Sequence, residues 1–293
     1  MASLIAHTKA SRAEGHGGSA PSILMRLSTV VVVMGIVASS LYALMADDPY
    51  RGLAHEKAQA AVAQDVFSVV VAVVLLFLVR RGSAQAHVIR LGLLAYVVYS
   101  YAIYLIGVPM NRIFLVYVVL VMTSGGAFLH GLLRLRPEAW PRVANRRLER
   151  GTGWMLVVVA TLFAGLWLSV LLPFALGGAA PTPAGPGGVA FPVYILDLVV
   201  VLPCIAAVGV LLLRQRPIAG PLATVALIKI VTLFAGLWTG VVAAFIDDGH
   251  VRLDADAGPS LLLLATSVVV AVKWLRSLSP DEGAYVRSNL WGS

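Results

Sequence analysis

Ala60-Ala61-Val62-Ala63-Gln64-Asp65-Val66-Phe67-Ser68-Val69-Val70-Val71-Ala72-Val73-Val74-Leu75-Leu76-Phe77-Leu78-Val79-Arg80-Arg81 is the stretch whose reading decides the fold. From Ala60 to Val79 it carries a single charge, Asp65, and it stops on a pair of arginines. A helix of about 20 residues rises about 30 Å, the thickness of the hydrocarbon core of a bilayer. The apolar residues run on without the alternation that a barrel strand needs, and nothing in lipid can satisfy an open backbone, so the stretch reads as a transmembrane helix.

The same pattern recurs along the chain. Working outward, the other spans are Arg26 to Ala46, Val88 to Ile106, Arg112 to Leu133, Gly153 to Pro173, Val193 to Leu213, Ile218 to Phe245 and Ser260 to Leu278. The fold class is therefore all-α, an integral membrane bundle of about eight transmembrane helices. A chain that is 59% hydrophobic and 12% charged could not hide its Leu, Val and Ala inside a water-soluble domain. Residues 1–25 read as a flexible cytoplasmic tail, 26–278 as the helical domain and 279–293 as a second cytoplasmic tail. The polar start, with Gly15, Gly17, Gly18 and Pro21 and no small-x-small site, fits an uncleaved first helix rather than a removed signal peptide.

Lys and Arg resist translocation, so their distribution sets the orientation. One side gathers Lys9, Arg12 and Arg26, then Arg80, Arg81 and Arg90, then Arg134 to Arg150, Arg214 and Arg216, and finally Lys273, Arg276 and Arg287. The other side has Arg51, Lys57, Arg112 and Arg252. Both termini are thus expected in the cytoplasm of a plasma (inner) membrane. This asymmetry also accounts for the net charge of +8, which would otherwise suggest nucleic acid. No nucleic-acid partner is expected. The acidic residues of the opposite loops, Asp47, Asp48, Glu56, Asp247, Asp248, Asp254 and Asp256, read as solvated carboxylates without the spacing of a calcium loop. The chargeless, Gly- and Pro-rich loop from Phe174 to Pro192 reads as a flexible connection.

Ionisable side chains inside a span cost about 2.5–3.5 kcal/mol on insertion scales and mark either function or a locked ion pair. Asp65, Asp197 and Lys229 qualify. Asp65 and Asp197 lie shallow beneath the exterior surface, and Lys229 stands about 16 Å along its helix, near the midplane. A lysine reaching outward can approach Asp197 or Asp65. A substrate or proton site and a structural pair both stay open. The third span adds Tyr96, Tyr99, Tyr101 and Tyr104, with Tyr96 and Tyr99 on one face and Tyr101 and Tyr104 on another. Asn111 makes a turn, and Arg112 begins the next helix beside a possible anion site. His55, His87, His130 and His250 lack zinc spacing, and His87 falls at a loop edge. The single cysteine, Cys204, reads as a small buried hydrophobe. No nucleophile elbow, phosphate loop or dinucleotide fingerprint appears, so no cofactor and no metal are implied.

The second and sixth spans share a plan: Asp65 runs to Arg80-Arg81, Asp197 to Arg214 and Arg216. That suggests a parallel repeat of four plus four helices. Gln64-Asp65 with Arg81-Gly82-Ser83, Tyr96 to Tyr104 with Gly107, Asn111, Phe114 and Tyr117, and Tyr194 with Leu196, Asp197 and Pro203 together resemble a family of bacterial polytopic membrane proteins. Ser100 departs from that pattern within the tyrosines. The resemblance implies kinship across Gln64 to Lys229 and brings no activity with it. Tyr194, beside Asp197, joins the candidate binding residues.

The leading functional expectation is a transporter-like or solute-binding bundle, in which Asp65, Asp197, Lys229 and the tyrosines line a cavity open to the exterior. The alternatives are a membrane sensor or accessory subunit whose basic loop meets anionic lipid or a protein partner, or a homo-oligomer, and then an enzyme acting on lipid. The first expects a small solute or ion, and all expect the lipid bilayer.

Overall fold

The computed structural model describes residues 23–47, 49–81, 83–135, 145–181, 190–248 and 257–278. Among these residues every regular element is helical, and eight helices are long and apolar enough to cross a membrane. They are α1 (Ile23–Met45), α2 (His55–Val79), α3 (Ala84–Gly107), α4 (Phe114–Leu133), α5 (Arg146–Ala175), α6 (Pro192–Leu213), α7 (Ala219–Asp248) and α8 (Ala257–Ser277). The tail from residue 279, most of the long basic loop and the α7–α8 connection, all part of the sequence reading, lie outside the described residues.

Short connections fold successive helices back on each other. The helix ends at Met45, His55, Gly107, Phe114, Ala175, Pro192, Asp248 and Ala257 therefore gather at one end of the bundle, called here the arginine-poor end. The first four helices close into a ring, α1 against α2, α2 against α3, α3 against α4 and α4 against α1. In the second four, α5 packs on α6, α6 on α7 and α7 on α8, but α5 makes no comparable contact with α8 among the described residues. The halves meet through α3 and α7, flanked by α2 on α7 and by the start of α6 on α3.

Lipid is as apolar as leucine, so close backbone approach and polar bonds must hold these helices together. Gly153 and Gly209 supply the approach between α5 and α6: a Cβ on Gly209 would stand 2.8 Å from the Gly153 carbonyl and from Val157 Cγ2. Gly92 does the same for α3, where a Cβ would meet Ile228 of α7 at 2.6 Å. At the arginine-rich end Trp274 Nε1 donates to Thr224 Oγ1 at 2.9 Å and Gln85 Nε2 donates to the Leu275 carbonyl at 3.0 Å, tying α8 to α7 and α3. Outward, Leu24, Met34, Val70, Val73, Phe77, Leu162 and Leu262 are exposed, an apolar coat suited to lipid, and Cys204, read as buried, is exposed with them because its side of α6 faces away from the bundle.

Helix ends correct several boundaries. Asn145 caps α5, its Oδ1 accepting from the amides of Arg147 and Leu148, so α5 begins at Arg146 rather than Gly153. Ser83 caps α3 in the same way, with the Ala86 amide donating to its Oγ. Helix α3 consequently starts at Ala84, and His87, read at a loop edge, and Arg90, counted with the cations of the arginine-rich side, belong to its first turns and are buried. Arg112 does not begin α4. The Asn111 Oδ1 accepts from the Ile113 amide, an Asx turn that holds Arg112 exposed before the helix starts at Phe114.

Candidate functional site

Gln64 and Asp65 are adjacent on α2, and a helix turns about 100° per residue, so the two side chains point to different places. Asp65 looks into the first ring. Its Oδ1 accepts from Ser39 Oγ of α1 at 2.9 Å, its Oδ2 accepts from the phenol of Tyr50, and Ser40 Oγ donates to its carbonyl at 3.0 Å. Tyr50 belongs to the α1–α2 loop, yet it dips into the ring and is buried beside Tyr104, their ring centroids 5.8 Å apart. Tyr101, Tyr104 and Tyr117 continue this aromatic plug, with centroid separations of 5.3–5.9 Å. Tyr104 donates to the Ala61 carbonyl at 2.7 Å. Asn111 Nδ2 donates to the Tyr117 oxygen at 3.2 Å, which fixes the α3–α4 turn against the plug.

Asp197 sits where α6 is irregular. Pro203 cannot donate to a carbonyl one turn back and its ring crowds that turn. The helix answers with a π segment, Asp197–Val201, in which the Leu202 amide donates to the Asp197 carbonyl five residues earlier. Such a bulge re-aims the side chains around it. Asp197 is turned inward, where Oδ1 accepts from Tyr99 of α3 at 2.9 Å and Oδ2 from Trp167 Nε1 of α5 at 2.9 Å. Lys229 of α7 approaches the same tyrosine from another side, its Nζ 3.7 Å from the ring centroid. That ammonium has no hydrogen-bond partner among the described residues. It is held by the π face of Tyr99 and by electrostatic interaction with Asp197.

A cavity of about 520 Å³ lies at the interface of the two halves, lined by α2, α3, α5, α6, α7 and α8. Lys57, Gly107, Pro192 and Pro259, each at a helix end, mark its mouth at the arginine-poor end, and Tyr96 lies about 16 Å deeper along α3. The walls are mainly apolar and aromatic, including Ile103, Phe163, Trp167, Phe191, Phe234 and Leu263. Its polar lining includes Gln64, Tyr96, Tyr99, Ser100, Asp197 and Ser260, with Lys57 at the rim and Tyr104 shared with the plug of the first ring. Gln64 Nε2 donates to the Tyr96 oxygen and, at 3.2 Å, to Ser100 Oγ. Lys57 Nζ stands 5.6 Å from the Phe191 centroid at the rim.

The residues singled out in the sequence fall into separate groups. Asp197, Tyr99 and Lys229 come together; Tyr96 and Tyr99 line the cavity with Asp197, while Lys229 stands behind Tyr99. Tyr194 packs on Trp167 with centroids 5.1 Å apart, just behind the wall. Asp65 and Tyr101 belong to the plug of the first ring, Asn111 to the turn above it, and exposed Arg112 to neither group. Trp167, Gln64, Phe191, Ser39 and Tyr50 complete these groups without having been marked as candidates. The adjacent hydroxyls of Ser39 and Ser40, inside an apolar span, are the signal from which a partner for Asp65 could have been sought.

Fold and site together define a multi-pass α-helical membrane protein with an aromatic-walled internal cavity. Family models, curated proteins and solved structures all return no match to the chain.

Proposed function

We propose that the protein binds a small, largely apolar solute bearing a polar end, taken up from the exterior face of a plasma (inner) membrane, in the manner of a transporter. The observation that carries this reading is the cavity between the two halves, apolar along its walls and closed by Asp197, Tyr99, Trp167 and Gln64. Binding sites of this kind typically have apolar walls with a few fixed polar groups that orient the ligand. The Asp197 carboxylate, with Lys229 behind Tyr99, offers balanced charge, which suits a neutral or zwitterionic end better than a lone ion. Asp65, sealed among hydroxyls away from the cavity, has a structural role in this reading.

Trp167 supplies its own reporter. Benzyl alcohol, benzylamine and phenylacetate, titrated into protein in lipid nanodiscs, should give saturable quenching that disappears in Trp167→Phe. The alcohol should bind more tightly than the two charged probes, and Asp197→Asn should weaken it about tenfold through loss of a charge-assisted hydrogen bond. Absence of saturable binding by all three probes, in protein whose helical spectrum is intact, overturns the proposal.

A further inference from the structure

At the arginine-rich end, between α1, α3 and α4, lies a second cavity of about 380 Å³. Four nitrogen-bearing side chains line it: His87 and Arg90 from the first turns of α3, His130 and Arg134 from the last turn of α4 and its cap. No Asp or Glu lines it among the described residues. Arg90 is 3% exposed, although a buried guanidinium ordinarily requires an acidic partner. One edge is used, since Nη2 lies 3.2 Å from His87 Nδ1. Its Nε has no hydrogen-bond partner among the described residues. Arg90 thus lines a cavity whose ionisable lining is basic throughout among the described residues, and no carboxylate there neutralises its charge.

Helix packing explains how the arginine comes to be there. His87 is hydrogen-bonded to the main chain of Gly131 on α4, and a Cβ on Gly131 would collide with Leu91, so this glycine lets α3 and α4 close with His87 and Arg90 held between them. Gly126, one turn earlier on α4, leaves open space where a side chain would stand. The lipid-facing flank of the cavity is apolar, with Leu24 and Met122 exposed on either side.

We infer that this cavity is a binding site for a phosphate-bearing anion, held by Arg90 and Arg134 with His130 beside them, while His87 fixes the Arg90 guanidinium in place. A guanidinium presents parallel donors that match two oxygens of one phosphate. A carboxylate would leave part of the two guanidinium groups and the His130 ring unused, whereas a phosphate has enough oxygens for all three. The anion is either the headgroup of a membrane lipid, entering past Leu24 and Met122, or a phosphate from solution.

Thermal unfolding of the full chain in dodecyl maltoside, titrated with three probes, separates these sources. Dioctanoyl phosphatidic acid, inorganic phosphate and phosphate-free dioctanoylglycerol are the probes. Saturable stabilisation by phosphatidic acid alone supports the site as one for a lipid headgroup, and stabilisation by inorganic phosphate supports it as one for phosphate from solution. Arg90→Gln should abolish the effect. His130→Ala and Arg134→Gln lie at less buried positions that tolerate change, and each should weaken the probe's apparent affinity about tenfold. Stabilisation by neither phosphate compound, equal stabilisation by dioctanoylglycerol, or wild-type affinity in both rim variants overturns the assignment. The site lies at the opposite end from the aromatic cavity, so its failure would leave the proposed function standing.

Discussion

Asp65 and Asp197 occupy similar places on α2 and α6, yet their surroundings give them different work. Asp65 accepts from Ser39 and Tyr50 inside a sealed ring, while Asp197 accepts from Tyr99 and Trp167 at the wall of a cavity. Removing a donor from a buried carboxylate costs more than the bond contributes, because the remaining oxygen is left without its partner. Tyr50→Phe should therefore destabilise the bundle by about 1–3 kcal/mol, read as a lower midpoint in denaturant, with cavity binding retained. Tyr50 also carries a pH signature. Burial, and then the nearby Asp65 charge, push its phenol well above the usual tyrosine value. Because the folded state holds the proton more tightly, its contribution is fully present below about pH 10 and fades as pH rises beyond that, where the unfolded chain ionises first. Between pH 9 and 11 the melting temperature of Tyr50→Phe should fall less steeply than that of the parent; parallel slopes would remove Tyr50 from this account.

At the scale of the element, α6 decides whether Asp197 can meet its partners. Pro203 forces the π segment, and Gly209 lets the following turns lie on α5 so closely that its absent Cβ would stand 3.1 Å from the Val157 amide nitrogen. Trp167 is presented to Asp197 from that same α5. Gly209→Val should push the helices apart, destabilising the protein by about 1–3 kcal/mol through overpacking. It should also weaken probe binding at the cavity as the bond from Trp167 to Asp197 lengthens. Gly165→Ala, on α5 but outside the cavity lining, is the control, since nothing lies within 4 Å of a Cβ there. Equal behaviour of the two variants would show that the α5–α6 contact does not position Asp197. The proline and the apolar length of α6 are plain in the sequence. That the irregular turn falls on the one acidic residue of the span follows only from how Pro203 is accommodated.

For the whole molecule, a closed ring of four helices and an open arc of four meet along α3 and α7, and the cavity lies where α5 and α8 fail to close. The arginine distribution predicts that the cavity mouth faces the cell exterior. His55 and Pro217 are exposed at opposite ends, and changing them leaves every arginine in place. With the single cysteine removed as Cys204→Ser, an impermeant maleimide should label His55→Cys in intact cells and Pro217→Cys after the membrane is opened. The reverse pattern would invert the orientation and with it the side from which solute enters.

Hydrocarbon cannot solvate a backbone, so apolar length alone was enough to read eight helices from residues such as Ala60 to Val79, and period alone divided the tyrosines of α3 into two faces. Which faces meet was not written in any one span, because lipid accepts any apolar surface and leaves the choice of neighbour to glycine contacts and polar bonds between distant segments. Tertiary packing therefore sent Asp65 into a closed ring of hydroxyl partners and Asp197 to the wall of a cavity. It also turned Arg90, counted in the sequence among the cations of one membrane face, into a guanidinium buried between α3 and α4.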